Sequence, residues 1–363
     1  MKKNCLKNIK ISCILASFLI FFTLFSCFFN CKNVFAESQY YYTSNVEHIF
    51  THCLIAYSDL AFESKTHMSK NYLTDCITSK EFILILNELY KNNYALVDIN
   101  SCFKIDENGI ASKCKIKVPK GKKPLIFSFD DVNYDSKKIG LGMVDKIILD
   151  ENGNLASSTK YKNQQDIRYD LEFIPILENF IKKHPDFSIN GAKGLINLTG
   201  YDGILGYRTS HTNTLNRQEE TKQAQEVVNK LKQNGWQFAS HSYGHYHMNK
   251  ISDEKFLKEV ELWQAEVEPI VGKTKIYVYP YGEWCVFSNG EICKKHKILQ
   301  QAGFSLFCGV GMKTFYNHLP SKNHKVLFMD RKCVDGRTLG ANRPELHSLF
   351  NPLSVLDSAR PKN

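Results

Sequence analysis

The stretch LIFSFDD, residues 125–131, is an apolar strand-like run that ends on two adjacent carboxylates. Uninterrupted apolar runs of this length are typical of strands buried on both faces, as in parallel sheets. Similar strand-like runs recur at residues 48–57, 94–99, 194–198, 236–240, 275–279, 304–307 and 326–329. Helix-like segments alternate with many of them, at residues 78–92, 170–183, 217–233, 253–270 and 291–302. This alternation predicts an α/β fold of parallel βαβ units, and about seven or eight such strands fit a (β/α) barrel with functional groups at the carboxyl ends of its strands.

The rest of the chain adds smaller elements to this pattern. DENGN, residues 150–154, has the composition of a hairpin turn between two strand-like segments. Residues 117–124 contain Pro and Gly and predict a loop, and residues 346–356 predict a helical tail. Neither an internal repeat nor a linker divides residues 37–363, so we expect one domain there with a hairpin insertion.

Residues 1–36 have the features of an export signal. They contain five lysines and no acidic residue, and the nineteen-residue apolar run from Ile11 to Phe29 follows the basic start. Small residues precede a cleavage point after Ala36, which predicts a signal peptide. The run is also close to the ~20 residues that span a bilayer, so residues 11–29 alternatively form a retained membrane anchor. Both alternatives predict an extracellular or cell-surface protein.

The charge balance argues against nucleic-acid binding. The chain has 47 Lys and Arg against 37 Asp and Glu, a net charge of +10. Five of the lysines belong to the export signal, so 42 basic against 37 acidic side chains leave +5 for the rest. The remaining sequence lacks the basic runs of nucleic-acid-binding proteins. With 43% hydrophobic residues, the composition also excludes a disordered chain.

The cysteine content fits the oxidising compartment that an exported protein enters. Eight of the twelve cysteines follow the export signal, and their spacing predicts local disulfides. The alternatives are buried free thiols or a zinc site, although no Cys-x-x-Cys pair occurs. The predicted disulfides are Cys53–Cys76, Cys102–Cys114, Cys285–Cys293 and Cys308–Cys333.

Asp130 and Asp131 end the strand quoted first. Two adjacent carboxylates at a strand end can take unequal roles, one binding a metal ion while the other remains free as a general base. The alternative is an acidic surface turn, in which Asp is common.

A second polar cluster, HSYGH at residues 241–245, directly follows the strand-like segment 236–240. On one helical turn His241 and His245 would face the same way and could bind one divalent ion, with His247 as an outer residue. Two histidines and one carboxylate leave coordination positions open, which is typical of catalytic rather than structural zinc. The alternative is a histidine-rich surface loop, or histidines satisfied within the core.

YPYG, residues 279–282, comes directly after another strand-like segment. Pro280 and Gly282 favour a tight turn that aims the backbone N–H of Tyr281 into a cavity, where it would stabilise an oxyanion. An ordinary tight turn is the alternative.

FSFDD, HSYGH and YPYG, in this order and at this separation, resemble the motifs of the NodB-type polysaccharide deacetylases, carbohydrate esterase family 4. The resemblance covers most of residues 37–363 and implies a distorted (β/α) barrel with metal-dependent deacetylase activity on an extracellular glycan. It implies Asp130 as the general base and the Tyr281 N–H as an oxyanion donor. The metal ligands that it implies are Asp131, His241 and His245.

The chain departs from the family pattern at three places. Val132 stands where the family usually has Gly after its paired Asp. Val278 stands where many members have an Arg that orients the base, and we expect Arg331 in FMDRKCVDG to take over that role. The late Leu-x-His motif, which supplies the general acid, has no clear counterpart. The candidates are His347 in ELHSLF and His52 on the first strand, with a surface or packing histidine as the alternative for each.

Together these features predict an exported hydrolase acting on the C–N bond of N-acetylated sugars, in a polysaccharide of the peptidoglycan or poly-N-acetylglucosamine type. The ligand set favours one divalent ion, zinc first, with cobalt, nickel or iron as alternatives. The expected partner is the acetylated polysaccharide, and nothing in the sequence indicates a protein partner. The alternatives are a catalytically impaired polysaccharide-binding protein on the same barrel and an O-acetyl esterase of the xylan type.

Overall fold

The structure is a computed structural model that describes residues 39–42, 44–63, 67–162, 164–288, 291–321 and 324–361. The signal peptide or anchor predicted for residues 1–36, with its apolar run at residues 11–29, lies outside the described residues. Among the described helices, none combines the length and the apolar character that crossing a membrane requires.

The strands follow one another along the chain with short connections or helices between them. They are β1 (Gln39–Tyr41), β2 (Glu47–His52), β3 (Tyr94–Leu96), β4 (Phe103–Ile105), β5 (Ala111–Lys113), β6 (Lys117–Pro119), β7 (Lys123–Asp130), β8 (Lys146–Leu149), β9 (Leu155–Tyr161), β10 (Gln164–Arg168), β11 (Leu195–Leu198), β12 (Gln237–Ser240), β13 (Ile276–Val278), β14 (Phe287–Ser288), β15 (Glu291–Ile292), β16 (Leu306–Val310), β17 (Tyr316–Ser321) and β18 (His324–Cys333).

The α-helices fall mostly between strands. They are α1 (Ser58–Glu63), α2 (His67–Asp75), α3 (Ser79–Lys91), α4 (Phe173–Lys183), α5 (Arg217–Gln233), α6 (Asp253–Glu266), α7 (Glu268–Val271), α8 (Lys294–Gln301) and α9 (Gly336–Gly340). Short 3₁₀ turns add to them, among which Ser136–Lys138 and Pro280–Gly282 concern the site.

The described residues form two units. In the small unit β1 pairs antiparallel with β6. The large unit contains all other described elements, and the following paragraphs concern that unit.

Among the described residues, seven parallel strands close into a barrel. Around the ring the order is β7, β11, β12, β13, β16, β18 and β2, and β2 pairs again with β7. All neighbours in this ring run parallel. β3 adds to β7 outside the ring, and β17 pairs antiparallel with β18. The (β/α) barrel predicted from the sequence is confirmed.

β7 shows how one strand serves both the core and the pocket. Phe129 stacks on Phe173 of α4, with ring centroids 3.8 Å apart. The alternate residues Ser128 and Asp130 hydrogen-bond with Arg331 of β18 instead. Because successive side chains of a strand point to opposite faces, one face of β7 packs on helices while the other carries polar groups.

Several local predictions are confirmed. α5 has the predicted bounds. α3 begins with a capping box, in which Thr78 Oγ1 accepts from the Glu81 N–H and the Glu81 carboxylate accepts from the Thr78 N–H. The DENGN turn joins β8 to β9 as a hairpin, and β10 extends it to a three-stranded antiparallel sheet.

Two local predictions are wrong. The loop predicted at residues 117–124 contains β6 and the first residues of β7. Pro119 ends β6, a strand end where a missing N–H is tolerated. The tail predicted as a helix at residues 346–356 contains the end of the 3₁₀ turn Pro344–Leu346 and the 3₁₀ turn Pro352–Val355, but no α-helix. Pro352 has no N–H to continue an α-helix.

The disulfide prediction is also wrong, because all eight described cysteines are free thiols. Cys308 pairs in register with Met329, four residues before Cys333 on β18. Roughly 13 Å of strand therefore separates Cys308 from Cys333, more than a disulfide spans. Thiols of the other three pairs donate hydrogen bonds to carbonyl groups, Cys53 to Asp131, Cys102 to Asp98 and Cys293 to Cys285. The four predicted disulfides that do not form are Cys53–Cys76, Cys102–Cys114, Cys285–Cys293 and Cys308–Cys333.

Candidate active site

A pocket of about 450 Å³ opens at the carboxyl ends of the barrel strands. The strand ends contribute His52, Asp130, His241, Val310 and Arg331 to its lining. Helices α2 and α9, the turn after β7 and the turn Pro280–Gly282 contribute further lining residues. Active sites of (β/α) barrels lie at this end of the strands.

Asp131, His241 and His245 converge within this pocket. One ligand atom from each residue lies within 4.8 Å of the other two. Asp131 Oδ1 is 3.6 Å from His245 Nε2 and 4.0 Å from His241 Nε2. In the described part of the chain, no other group of three His, Cys, Asp or Glu residues meets these criteria. The structure thus brings together the three predicted ligands.

These three side chains fit a divalent metal ion. Asp131 Oδ1 is buried and has no hydrogen-bond partner among the described residues. His241 Nδ1 donates to the Val278 carbonyl at 2.9 Å, which leaves Nε2 as the ligand atom. Burial lowers the pKa of His241 to about 4, so its ring is neutral at pH 7, as metal binding requires. The donor set leaves coordination positions open, as catalytic zinc sites do.

The helical turn predicted for residues 241–245 is wrong. Ser242 and His245 have left-handed backbone conformations, with φ of 60° and 54°, which an α-helix cannot include. The His245 N–H donates to Ser242 Oγ at 3.0 Å, and the Gly244 N–H donates to the buried carboxylate of Glu259 on α6. A loop fixed by these hydrogen bonds, and not helical periodicity, aligns the two histidines.

Asp130 is buried next to the ligands and is held by two donors. Arg331 Nη1 and Asn197 Nδ2 each donate to Asp130 Oδ1 at 2.6 Å. Asp130 Oδ2 lies 3.7 Å from His241 Nε2. The Arg331 guanidinium is 1% exposed and also donates to Ser128 Oγ. Arg331 therefore makes the contact with Asp130 that the sequence predicts.

The electrostatic surroundings keep both aspartates ionised. Burial tends to raise the pKa of Asp130, but the charge of Arg331, followed by that of His241, outweighs burial and holds this pKa well below its usual range. Burial also tends to raise the pKa of Asp131, and the charges of His245 and His241 lower it overall. An ionised carboxylate is the form that a metal ligand or a general base needs.

Tyr281 lies at the edge of the ligand group. Pro280–Gly282 form a 3₁₀ turn in which Tyr281 has a left-handed φ of 58°. The Tyr281 ring is 4.6 Å from the His245 ring and stacks on His247 at 4.0 Å. His247 Nδ1 is 3.1 Å from Glu283 Oε1. The tight turn of YPYG is present, and the oxyanion role of Tyr281 stays a prediction.

Residues 207–304 match the sequence model of the polysaccharide deacetylase family. This range contains HSYGH and YPYG, and the paired aspartates precede it at the end of β7. Over this segment, about a quarter of its length, the chain is similar to the polysaccharide deacetylase family. No curated protein sequence matches it.

Several solved structures are similar to this chain at low sequence identity. The Streptococcus pyogenes deacetylase PplD, in complex with acetate, is 12% identical, with a TM-score of 0.46, over 82% of this chain and 95% of that chain. A polysaccharide deacetylase from Bacillus cereus is 13% identical, with a TM-score of 0.43, over 84% of this chain and 69% of that chain. These likenesses show no more than a similar fold.

The second donor to Asp130 was missed in the sequence. Asn197 is the one polar side chain of β11, LINL, and β11 pairs with β7 through Ile196 and Phe129. A lone amide inside an apolar strand is the signal that could have identified it, because a buried amide needs a hydrogen-bond partner.

Of the two histidines predicted as candidates for a general acid, the structure places His52 in the pocket lining. His52 ends β2 in register with Asp130, and its Nδ1 donates to the Asp75 carbonyl at 2.8 Å. Nε2 is then the nitrogen available to a substrate. His347 is exposed, contacts Asn342 Oδ1 at 3.0 Å and does not belong to the lining.

Proposed function

We propose that the chain is an exported, metal-dependent deacetylase that removes N-acetyl groups from a cell-wall or extracellular polysaccharide of the peptidoglycan or poly-N-acetylglucosamine type. One observation carries the proposal. A single pocket holds a three-residue ligand set, formed by Asp131 and the histidines of HSYGH, together with a separate ionised carboxylate on Asp130. Zinc is the ion that we propose for this ligand set.

Asp130 has the position and the charge of a general base. Its Oδ1 accepts hydrogen bonds from Arg331 and Asn197, so Oδ2 is the oxygen left to take a proton from the attacking water. A bound divalent ion would supply Lewis acidity at the acetyl carbonyl and a lowered pKa for water. We assign the Tyr281 N–H as a further donor to the developing oxyanion.

We assign His52 as the general acid. The Asp75 carbonyl holds the proton of Nδ1, and protonated Nε2 donates to the leaving nitrogen as the C–N bond breaks. The water oxygen stays on the acetyl carbon, and its proton passes to Asp130. The products are acetate and a free amino sugar.

Export is proposed from residues 1–36 alone. Cleavage after Ala36 would give a secreted protein, whereas retention of the run Ile11–Phe29 would tether the protein to the outer face of the membrane. N-terminal sequencing of the protein recovered from the medium and from the membrane fraction distinguishes the two. Recovery in the cytoplasmic fraction alone would contradict export.

Acetate release by the purified protein tests the activity. The chain is loaded with zinc, cobalt, nickel or iron and incubated with N-acetylglucosamine oligomers, peptidoglycan and acetylated xylan. We expect metal-dependent release from an N-acetylated glycan and its loss in Asp130→Asn. Release from xylan alone would indicate an O-acetyl esterase instead. One bound ion without release from any glycan would indicate a binding protein without catalysis.

A pair of substrates tests His52 separately from Asp130. His52→Gln should lower kcat roughly a hundredfold or more on an N-acetyl glycan, because the amine leaves only when protonated. On 4-nitrophenyl acetate, whose leaving group needs no proton, the same variant should keep its turnover. Asp130→Asn should lose activity on both substrates. His347→Gln is the exposed control, and an equal loss on both substrates in His52→Gln would refute the assignment.

A further inference from the structure

Among the described residues, three cationic side chains besides the histidines line the pocket, and two of them are paired. Arg331 Nη1 is 2.6 Å from Asp130, and Arg337 Nη2 is 2.8 Å from Asp75. The third is Lys138. No carboxylate of the described chain lies within 4.0 Å of its ammonium group, and no described atom accepts a hydrogen bond from it. Among the described residues, Lys138 therefore has no direct ion-pair or hydrogen-bond partner, although the charge of Asp131 acts on it from a greater distance.

The other two carboxylates of the lining have different partners. Asp131 belongs to the ligand group of the metal ion. Asp335 caps α9 by accepting from the Thr338 N–H at 2.7 Å, and it also accepts from Cys333 Sγ at 3.3 Å. Neither carboxylate forms a direct ion pair with Lys138, and a metal ion bound by Asp131 would offset the charge that acts on the lysine.

The turn that carries Lys138 is held in place by its neighbours. Ser136–Lys138 begins five residues after Asp131, in the segment that departs from the family pattern at Val132. The Asp135 carboxylate accepts from the Lys137 N–H at 2.9 Å and from the Tyr201 hydroxyl at 3.0 Å. These hydrogen bonds fix the backbone of the turn, so little backbone entropy is lost when Lys138 binds a ligand.

The thiols beside Lys138 do not neutralise it. Cys53 and Cys76 are close enough to interact with its charge. Burial raises the pKa of both thiols, that of Cys76 to about 12, so both are uncharged at pH 7. Burial opposes the charge of Lys138, but its pKa is raised overall, and at pH 7 the ionised Asp131 is the neighbour that favours the protonated lysine.

We propose that Lys138 binds a carboxylate group of the substrate, so that the glycan carries an acidic sugar at or next to the N-acetylated one. The inference rests on the proposed deacetylase function and adds the substrate class to it. A single ammonium group matches a carboxylate, whereas phosphate sites usually present bidentate Arg or several backbone N–H groups. A bound divalent ion adds positive charge close to Lys138, which further favours an anionic ligand.

A matched pair of oligosaccharides tests this specificity. One contains N-acetylglucosamine and N-acetylmuramic acid with its free lactyl carboxylate, and the other is the same compound with that carboxylate converted to the methyl ester. For the wild-type protein we expect kcat/KM to be roughly tenfold or more higher for the acid, since a charge-assisted hydrogen bond is lost in the ester. The preference should fall at raised ionic strength.

Variants of the lysines test whether Lys138 causes the preference for the acid over the ester. Lys138→Met should bring the acid-to-ester ratio of kcat/KM close to one, mainly through the KM of the acid, and Lys138→Arg should restore some of it. Lys137→Met alters the exposed neighbour in the same turn and should keep the wild-type ratio. A wild-type ratio near one, or an unchanged ratio in Lys138→Met, overturns the proposal. Metal content checks that each variant is folded.

Two further measurements separate the remaining outcomes. If Lys138 instead holds the product, Lys138→Met will relieve inhibition by free acetate without changing the acid-to-ester ratio, which would also overturn the proposal. If no acetate is released from either oligosaccharide, the deacetylase function fails, and calorimetric binding of the acid and the ester still decides the role of Lys138. Tighter binding of the acid that Lys138→Met abolishes is the supporting result.

Discussion

Asp130 and Arg331 reach the pocket from the ends of barrel strands, whereas Asp75, Lys138 and Arg337 reach it from α2, from a single turn and from α9. We call the first residues, with the three metal ligands, the strand-end set, and the others the helix-and-loop set. In the strand-end set the charges are paired or directed at one ion. The helix-and-loop set leaves a single cation without a partner. The contrast suggests that the strand ends perform the reaction while the helices and loops select the substrate.

The largest effect should follow from removing the ligands of the strand-end set. His241→Ala combined with His245→Ala leaves one carboxylate, so we expect loss of the bound ion and of all acetate release. Metal analysis of the dialysed protein should give about one ion per wild-type chain and none for the double variant. His247→Ala removes a histidine outside the ligand group and should retain the ion. Full occupancy in the double variant would place the metal elsewhere.

Asp130→Asn should have the next largest effect. It keeps the shape of the side chain and removes the base, so kcat should fall roughly a hundredfold or more while the ion stays bound. Steady-state kinetics and metal analysis of the same preparation check both statements. Turnover close to that of the wild-type protein would show that another group activates the water.

Arg331→Lys should have a smaller effect within the same set. The lysine keeps the charge but loses the planar donor that holds Asp130 Oδ1, so we expect kcat to fall about tenfold with normal metal content. Arg337→Lys is the matched change in the helix-and-loop set. Its exposed pair with Asp75 is worth little, so the loss of kcat should be smaller. Equal effects of the two changes would remove the distinction between the two sets.

The smallest effect concerns stability near the helix-and-loop set. Glu172 is buried and accepts from the Leu54 and Phe173 N–H groups. Burial raises its pKa from 4.5 to about 8 in the folded protein. Between these pH values the folded state holds a proton that the unfolded state has released, so stability falls as the pH rises.

Glu172→Gln removes this titration. We measure the free energy of unfolding in urea between pH 5 and pH 8.5. Relative to the wild-type protein, the free energy of unfolding of the variant should rise by at most ~1.4 kcal/mol per pH unit. Glu107→Gln, at an exposed position, is the control, and its free energy of unfolding should change with pH as that of the wild-type protein does. Parallel curves for Glu172→Gln as well would mean that Glu172 ionises at its ordinary pKa in the fold.

The strand-end set was largely predictable from the sequence. A side chain at the end of a parallel strand is placed by backbone register, so Asp130, Asp131 and Arg331 could be assigned from their position after apolar runs. The conformation of the loop between His241 and His245 could not be predicted, because its left-handed residues depend on tertiary hydrogen bonds and not on sequence spacing.

The helix-and-loop set could not be assembled from the sequence. α2 and the turn at Ser136–Lys138 reach the pocket through the path of the chain in three dimensions, which periodicity does not encode. In the sequence, Lys138 therefore stands out only as a residue of an insertion. For a related reason the sequence could not decide between disulfides and buried free thiols, since spacing along the chain does not give the distance between Cys308 and Cys333 across the β16–β18 pairing.

The contact between β12 and β13 links the metal-ligand group to the stability of the barrel. Ser240 and Tyr277 are the one pair that joins these two strands in the described chain, whereas β11 and β12 share four pairs. The bond from His241 Nδ1 to the Val278 carbonyl adds a cross-link where main-chain pairing stops. An ion bound by His241 would therefore also stabilise the contact between β12 and β13. Removal of this ion should speed amide hydrogen exchange in β12 and β13 before it affects the other barrel strands.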